Sequence, residues 1–284
     1  MITKKTPTIH NYLGKNPVGF HTITYYTWGN PLNPALLMVH GLSRNGRDYD
    51  VLAEALSDYY YVVCPDIVGR GLSDWLPEGV EYSYTQYMAD LTGLIARLNV
   101  TEVSWLGSSM GALLGMIMAS LQGTPIKRLI MNDIGPFISS EALEKIRTYV
   151  SLMPTFPTFE LGLNFVRQIY APFGQLTDDQ WQHMAEHSLI QIPDGTYRMH
   201  YDPRTTIFNE QKTDVNLWPC WLSVACPTLV LRGADSAIFP RDVCEQMIAS
   251  SAVASMCEIP NAGHAPALMS DLEITIVRDW LMSH

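Results

Sequence analysis

The chain has 284 residues, which is enough for one large domain or for a core domain that carries an inserted subdomain. Hydrophobic residues make up 47% of the sequence and charged residues 16%, a balance that excludes a disordered chain. The formal net charge is −10 and basic residues do not cluster, so we expect neither nucleic acid nor an anionic membrane as a partner.

The N-terminal segment and the cysteines bear on the cellular compartment. The first 15 residues contain two lysines but no apolar segment of the kind that a signal peptide needs. No run of about 18 apolar residues follows, so we expect no membrane insertion. The five cysteines are odd in number and scattered, as is usual for reduced thiols. We therefore expect a cytoplasmic protein; the sequence is silent on its oligomeric state.

Short apolar strands and helices alternate in the first half of the chain. In chain order we expect strands at 20–28 and 35–39, a helix at 46–57, a strand at 60–64, a helix at 84–98, a strand at 103–106, a helix at 112–121 and a strand at 128–131. Residues 1–16 are expected to be irregular. Wholly apolar runs such as 35–39 are typical of strands that are buried on both faces of a parallel sheet.

The alternation stops after residue 137 and resumes near residue 227. Between these points the sequence predicts helices joined by proline-containing segments, with no obvious sheet strand. The later elements are a strand at 227–233, a helix at 241–250, a strand at 254–259 and a helix at 271–282. This order predicts an α/β fold with a doubly wound, mostly parallel sheet. Its core is expected to comprise 1–137 and 217–284, and a helical insertion, which we term the insert, comprises 138–216.

Ser109 lies in Gly107-Ser108-Ser109-Met110-Gly111, a G-x-S-x-G sequence between an apolar strand and a helix of small and apolar residues. A strand, a tight turn and a helix are the context in which this pattern presents a nucleophilic serine. The two glycines lack a Cβ atom, so the strand and the helix can approach closely around a strained residue. Ser109 is therefore the candidate nucleophile.

A serine hydroxyl is a weak nucleophile at neutral pH and needs a nearby base, usually His, that a third group orients. His264 is the best candidate base, because it lies in a short loop between the last strand and the last helix. Asp235, just after the strand at 227–233, is our first choice for the orienting acid. Asp133, at the end of an earlier strand, competes for this role. Asp242 is a third choice, although the first turn of a helix favours acids for other reasons.

Acyl transfer also needs backbone N–H donors that point at the developing oxyanion. Met110 follows Ser109 at the start of the predicted helix and supplies one donor. Leu42, which follows His40-Gly41 at the end of an earlier strand, would supply the second.

Together, these motifs resemble the α/β-hydrolase superfamily. The resemblance rests on four segments in this order: His40-Gly41-Leu42, the loop from Asp66 to Asp74, the sequence around Ser109, and Asn261-Ala262-Gly263-His264. It implies an eight-stranded sheet, a nucleophile–acid–histidine order, and a lid after strand six that matches the insert. Ser109 stands where the haloalkane dehalogenase and epoxide hydrolase branches carry Asp, which argues against those two reactions. The chain departs from the family pattern in one respect. In the family the acid usually follows a glycine of strand seven by three or four residues, whereas Asp235 follows Gly233 by two.

The sequence therefore predicts a serine hydrolase that cleaves carboxylic esters of small molecules through an acyl-enzyme. A C–C bond hydrolase, a lactonase or an acyltransferase could use the same triad. A small-molecule receptor built on a hydrolase fold is an alternative from another class. The sequence does not name the substrate, because the insert contains few motifs.

One further pattern lies in the insert. His183-Met184-Ala185-Glu186-His187 matches H-x-x-E-H, and on a helix the two histidines would share a face, as zinc ligation requires. The sequence shows no clear third ligand. We therefore expect two solvated or packed histidines, with no metal and no other cofactor.

Overall fold

The chain folds around one large β-sheet that has helices on both faces. The computed structural model describes residues 5–205 and 213–284. The first part of the core contains β1 (Thr8–Asn16), β2 (Gly19–Trp28), β3 (Ala35–Val39), a 3-10 helix (Gly46–Tyr49), α1 (Asp50–Leu56), β4 (Tyr61–Pro65), α2 (Tyr84–Arg97), β5 (Val103–Ser108), α3 (Met110–Ala119) and β6 (Ile126–Asn132).

The remaining elements belong to the insert and to the second part of the core. The insert region contains β7 (Phe137–Ile138), α4 (Ser140–Val150), β8 (Thr155–Phe156), α5 (Phe159–Ile169), a 3-10 helix (Ala171–Phe173), α6 (Asp178–Ser188), β9 (Leu189–Gln191), β10 (Tyr197–Met199) and β11 (Val215–Asn216). The core then continues with α7 (Trp218–Trp221), β12 (Thr228–Gly233), α8 (Arg241–Ala249), β13 (Ala254–Ile259) and α9 (Asp271–Ser283).

The large sheet has eight strands in the order β1-β2-β4-β3-β5-β6-β12-β13. The six strands from β4 to β13 in this order run parallel, while β1 and β2 are antiparallel to their neighbours. This confirms the predicted doubly wound, mostly parallel sheet. The carboxyl ends of the parallel strands therefore meet at one edge, where Ser109, Asp133 and the loop containing His264 lie.

β3 illustrates how the core holds this sheet. All five of its residues are buried, and successive side chains point to opposite faces. Leu36 and Met38 pack on the face covered by α1 and α9, whereas Leu37 and Val39 pack on the face covered by α2 and α3. Full burial of each such side chain contributes about 1.5–3 kcal/mol, so both faces of the sheet stabilise the position of the strand ends.

The structure differs from the predicted elements in β1. Residues Thr8–Asn16 were expected to be irregular, but they form an edge strand that pairs with β2 along its whole length. β1 is an edge strand, and most of its residues are exposed or only partly buried. Its apolar residues do not alternate with polar ones, so the sequence lacks the period-two pattern that marks a half-buried strand. Its pairing partner determines its conformation.

The insert also contains strands that were not expected. β8, β10 and β9 form a small three-stranded sheet, and β7 pairs with β11 at the base of the insert, where Ile138 lies opposite Val215. These strands have only two or three residues, which is too short for a periodic pattern to appear in the sequence. Among the described residues, no helix combines the length and the apolar character that crossing a bilayer requires.

Candidate active site

Ser109 occupies a strained turn between β5 and α3. Its φ is 49° and its ψ is −114°, a conformation that is costly for a residue with a side chain. The Ser109 N–H donates to Asn132 O at 3.0 Å, which ties the turn to the end of β6. A Cβ atom at Gly111 would overlap Val39 O, and one at Gly107 would overlap the Gly111 backbone. Both positions therefore require glycine for the helix to begin directly above the strand.

His264 connects Ser109 to a carboxylate. Its Nε2 lies 2.9 Å from Ser109 Oγ, and its Nδ1 lies 2.8 Å from Asp133 Oδ2. The His264 side chain is 9% exposed and the Asp133 side chain is fully buried. When Ser109 donates to Nε2, Nδ1 carries the proton and donates to Asp133, which is the tautomer that a general base requires.

The carboxylate that contacts His264 in this structure is Asp133, the alternative that the sequence left open, and not Asp235, the first choice. Asp235 is exposed on the surface, and its backbone N–H donates to Ala262 O. The loop after β12 contributes hydrogen-bond donors instead of the acid. Gly233 N donates to Asp133 Oδ1 at 2.7 Å, and Ser236 Oγ donates to Asp133 Oδ2 at 2.6 Å. Ser236 lies three residues after Gly233, so it takes the position at which the resemblance placed the acid.

The segment that contains Leu42 lies beside the nucleophile. A Cβ atom at Gly41 would be 3.7 Å from the Ser109 Cβ. Leu42, Ser109 and Met110 line the same small cavity. The role of Leu42 and Met110 towards an oxyanion remains a prediction.

His40 and Arg70 hold this segment in place. Ile67 N donates to His40 Nε2 at 2.9 Å, so the proton of the neutral ring is on Nδ1, which donates to Gly41 O at 2.7 Å. Burial lowers the pKa of His40 to about 3, which keeps the ring neutral. Arg70 is completely buried and donates to Leu42 O at 2.9 Å.

Asp66 also lies at the end of a strand, but it stabilises the neighbouring loops and does not line either cavity that adjoins Ser109. It is fully buried and accepts hydrogen bonds from Gly46 N, Leu72 N and Tyr26 OH. Burial raises the pKa of Asp66 to about 6. A Cβ atom at Gly71, which has a φ of 53°, would overlap the Asp66 carboxylate. The glycine-containing loop after β4 is therefore folded around this carboxyl group.

Two small cavities adjoin Ser109. The first has a volume of about 50 Å³, and its lining includes polar side chains from the core and from the insert, namely Ser43, Arg44, Asp48 and Tyr170. The second has a volume of about 40 Å³ and, apart from Ser109 and two tyrosines, an apolar lining: Leu42, Met110, Leu113, Ile134, Ile138, Leu143 and Ile146. The wall of the first cavity is also mostly apolar, and the ion pair of Arg44 and Asp48 occupies one part of it. We term the first the polar cavity, after this ion pair, and the second the apolar cavity.

Arg44 is a residue of this site that the sequence did not predict. It is 4% exposed, and its Nε and Nη2 donate to Asp48 at 2.7 and 2.5 Å. Its Nη1 donates to Ser188 Oγ at 2.8 Å, and its guanidinium lies 4.2 Å from the centre of the Tyr170 ring. The four-residue spacing of Arg44 and Asp48 was a visible signal, but such a pair is ordinarily a surface feature of a helix.

The chain is similar to known proteins over most of its length. Residues 36–273 match the model of the alpha/beta hydrolase family. The chain is 40% identical over 272 residues to the 3-hydroxybutyrate-oligomer hydrolase of Cupriavidus necator, covering 92% of this chain and 93% of the relative. It is 28% identical to the N-formylmaleamate deformylase of Pseudomonas putida, covering 81% of each chain.

Solved structures give the same result. A crystal structure of a Rickettsia typhi protein superposes with a TM-score of 0.91 at 32% identity, covering 98% of this chain and 99% of that one. An alpha/beta hydrolase from Novosphingobium aromaticivorans has a TM-score of 0.86 at 28% identity, with the same coverage. The chain is an enzyme that belongs to the alpha/beta hydrolase family.

Proposed function

We propose that this hydrolase cleaves carboxylic esters of small molecules, with Ser109 as nucleophile, His264 as general base and acid, and Asp133 as the acid that orients His264. The observation that carries the proposal is the continuous hydrogen-bonded path from Ser109 Oγ through both ring nitrogens of His264 to Asp133 Oδ2. Nucleophile, base and orienter in hydrogen-bond contact are the arrangement that activates a serine for acyl transfer.

In the first half of the reaction, Ser109 Oγ attacks the ester carbonyl and its proton passes to His264 Nε2. The buried Asp133 carboxylate stabilises the imidazolium that forms, through the Nδ1–H. The N–H groups of Leu42 and Met110 hold the oxyanion, a contribution that is typically worth about 10²–10³-fold in rate for each donor. His264 then protonates the leaving alcohol, and an acyl-enzyme on Ser109 remains.

In the second half, a water molecule gives its proton to His264 Nε2 and attacks the acyl carbonyl. The oxyanion forms again between Leu42 and Met110. Collapse of this intermediate returns the proton from His264 to Ser109 Oγ and releases the carboxylic acid. The same groups thus serve both halves of the reaction without a cofactor.

The substrates that we favour are esters of 3-hydroxyalkanoic acids, including their short oligomers. The similarity to the 3-hydroxybutyrate-oligomer hydrolase supports this class, because it extends over nearly the whole of both chains. The polar cavity supports it independently. A Cβ atom at Gly41 would be 3.7 Å from the Ser109 Cβ and 3.8 Å from Arg44 Cγ, so both side chains flank the same glycine.

The charge of the polar cavity favours a neutral oxygen atom in the substrate. Asp48 compensates the charge of Arg44, so a free carboxylate would meet both a cation and an anion. A hydroxyl or an ester oxygen on carbon 3 of the acyl group can instead accept from a guanidinium N–H. The apolar cavity on the other side of Ser109 suits a methyl or alkyl group.

Labelling with a fluorophosphonate followed by peptide mapping tests the nucleophile, and the adduct is expected on Ser109. Substrate preference is tested with p-nitrophenyl 3-hydroxybutyrate against p-nitrophenyl butyrate, which differ by one hydroxyl. We expect a higher kcat/KM for the hydroxy ester and release of 3-hydroxybutyrate from its linear dimer. An adduct on another residue would refute the mechanism; equal rates for the two esters would refute only the substrate class.

A further inference from the structure

Outside the two cavities, three side chains of metal-binding type meet where the insert contacts the core. Asp50 is the first residue of α1, and His183 and His187 lie one turn apart on α6. Each side chain offers one ligand atom, and these atoms all lie within 4.8 Å of one another. Asp50 is the third ligand that the H-x-x-E-H pattern lacked, and it comes from a distant part of the chain.

We propose that Asp50, His183 and His187 form a binding site for a divalent transition metal, of which Zn²⁺ is the best match. Two imidazoles and one carboxylate are ligands that zinc accepts readily. Zinc–ligand distances of about 2.0–2.2 Å in a tetrahedral site place two ligand atoms roughly 3.3 Å apart. His183 Nε2 and Asp50 Oδ2 already lie 3.4 Å apart, and the ligand atom of His187 lies within 4.8 Å of both. His183 Nε2 also lies 3.2 Å from Arg47 O, a contact that a bound metal would displace.

The site is open to metal ions from solvent. All three ligands are partly exposed. A cavity of about 320 Å³ adjoins Asp50 and His183, and it is lined also by the carboxylates of Glu54 and Asp179. This cavity gives access from solvent to Asp50 and His183 and has room for a water molecule as the fourth ligand. Lys5 and Arg47 line it as well, so the two additional carboxylates are offset by two cations.

Arg47 sets the strength of binding. Its Nε donates to Asp50 Oδ1 at 2.8 Å, and its Nη2 donates to Asp50 Oδ2 at 2.5 Å. A metal ion on Oδ2 displaces Nη2 and leaves Nε on Oδ1, where the guanidinium acts as the outer partner that a ligating carboxylate commonly has. The positive charge of Arg47 opposes a second cation nearby, so binding is moderate and reversible.

Metal binding at this site would join the insert to the core. The same contact contains two further hydrogen bonds, from Asn45 Nδ2 to His187 O and from Arg44 Nη1 to Ser188 Oγ. Because the ligands come from α1 and α6, the bound metal stabilises the docked position of α6. Thermal unfolding is therefore expected to move to higher temperature when zinc is added, by the linkage between ligand binding and stability.

The test is titration of the full-length, metal-free chain with ZnCl₂ by calorimetry, with circular dichroism to verify that each variant is folded. We expect one zinc ion per chain. His183→Ala and His187→Ala should each weaken binding by about tenfold or more, and Arg47→Gln should strengthen it several-fold. His10→Ala serves as the matched control, because His10 contacts Thr27 and Tyr25 on the first hairpin.

Titration with Co²⁺ distinguishes this site from the five free cysteines, because thiolate ligands produce an intense charge-transfer band and imidazole or carboxylate ligands do not. We expect visible ligand-field bands without the charge-transfer band. The proposal is overturned by the absence of stoichiometric zinc, by unchanged affinity in folded His183→Ala and His187→Ala, or by a thiolate spectrum. None of these readouts depends on esterase activity.

Discussion

The core and the insert both border Ser109, but they position their side chains in different ways. In the core, backbone groups at adjacent strand ends hold the reacting residues: Asn132 O binds the Ser109 N–H, and Gly233 N binds Asp133. The insert places the side chains of Tyr170 and Met184 on the cavity wall. It contacts the core through side-chain hydrogen bonds, such as Arg44 with Ser188, and through backbone hydrogen bonds between loops, such as Gly263 N to Pro172 O.

This difference suggests a division of roles. Backbone hydrogen bonds within a packed sheet cannot be rearranged without loss of the fold, so the geometry of the core is preorganised for the reaction. The insert contributes side chains to the cavity wall, and these can be exchanged individually without loss of the backbone contacts, so the insert is suited to determine which substrate fits. Substitutions on the two sides of the cavity should therefore affect different kinetic properties, and the following predictions proceed from the largest effect to the smallest.

Replacement of the nucleophile should have the largest effect. Ser109→Ala removes the attacking oxygen, so we expect kcat for p-nitrophenyl esters to fall by about 10⁴-fold or more. The fold should be retained, since the Ser109 N–H that binds Asn132 O is a backbone group. Steady-state kinetics with circular dichroism measures both quantities.

The neighbouring serine provides the control for this experiment. Ser108 Oγ accepts from Tyr49 OH and from Asn132 Nδ2 and does not contact His264 among the described residues. Ser108→Ala should cost far less activity than Ser109→Ala. Comparable losses in the two variants would contradict the assignment of Ser109.

The orienting acid gives the second prediction. Asp133→Asn keeps the shape of the side chain but favours the wrong tautomer of His264, so we expect kcat to fall by about 10⁴-fold. Asp235→Asn alters an exposed carboxylate and should leave kcat within a few-fold of the wild type. Parallel measurement of kcat in the two variants is the test. A larger loss in Asp235→Asn would restore the assignment made from the sequence alone.

The polar cavity gives the third prediction, which concerns specificity. Arg44→Gln removes the guanidinium N–H groups, so the preference for p-nitrophenyl 3-hydroxybutyrate over p-nitrophenyl butyrate should fall by about tenfold, the size of one charge-assisted hydrogen bond. The readout is the ratio of the two kcat/KM values. A purely structural role of Arg44 would lower both values equally and leave this ratio unchanged.

Arg47→Gln is the matched control for Arg44→Gln, measured in the presence of a chelator. Arg47 belongs to the same segment, but its guanidinium binds Asp50 and it does not line either cavity beside Ser109. Its substitution should leave the ratio of the two esters as in the wild type. If the ratio falls in both variants, specificity depends on the packing of the segment that contains Arg44 and Arg47 and not on the guanidinium of Arg44.

His40 gives the last prediction, which concerns the pH dependence of stability and not the rate or the specificity of the reaction. Burial lowers the pKa of His40 to about 3 in the folded protein, whereas an unfolded chain binds the proton near pH 6.5. Below that pH the unfolded state holds more protons, so stability should fall as pH decreases from 6.5 towards 3, by at most about 1.4 kcal/mol per unit.

Urea unfolding of the wild type and of His40→Gln across this pH range isolates the contribution, because all other groups titrate in both proteins. The difference in unfolding free energy between the two should shrink as the pH falls. A difference that is constant with pH would show that His40 titrates alike in the folded and unfolded states.

The sequence by itself determined the framework of this protein. Strands β3, β4, β5 and β12 were recognisable because strands that are buried on both faces are made of nearly continuous apolar runs. The local order of strand, glycine turn and helix identified Ser109 as the candidate nucleophile. The short loop before the last helix identified His264 as the candidate base. These features depend on neighbouring residues, so the pattern of the chain reveals them.

Only the tertiary structure decided which distant groups meet. Asp133 lies 131 residues before His264 and 100 residues before Gly233, so no local spacing could choose it over Asp235. Asp50 lies beside His183 and His187 only through the packing of α1 against α6, and Arg44 and Ser109 line the same cavity although 65 positions of sequence separate them. The physical reason is that strand ends and helix faces are brought together by sheet order and packing, which act between segments far apart in the chain.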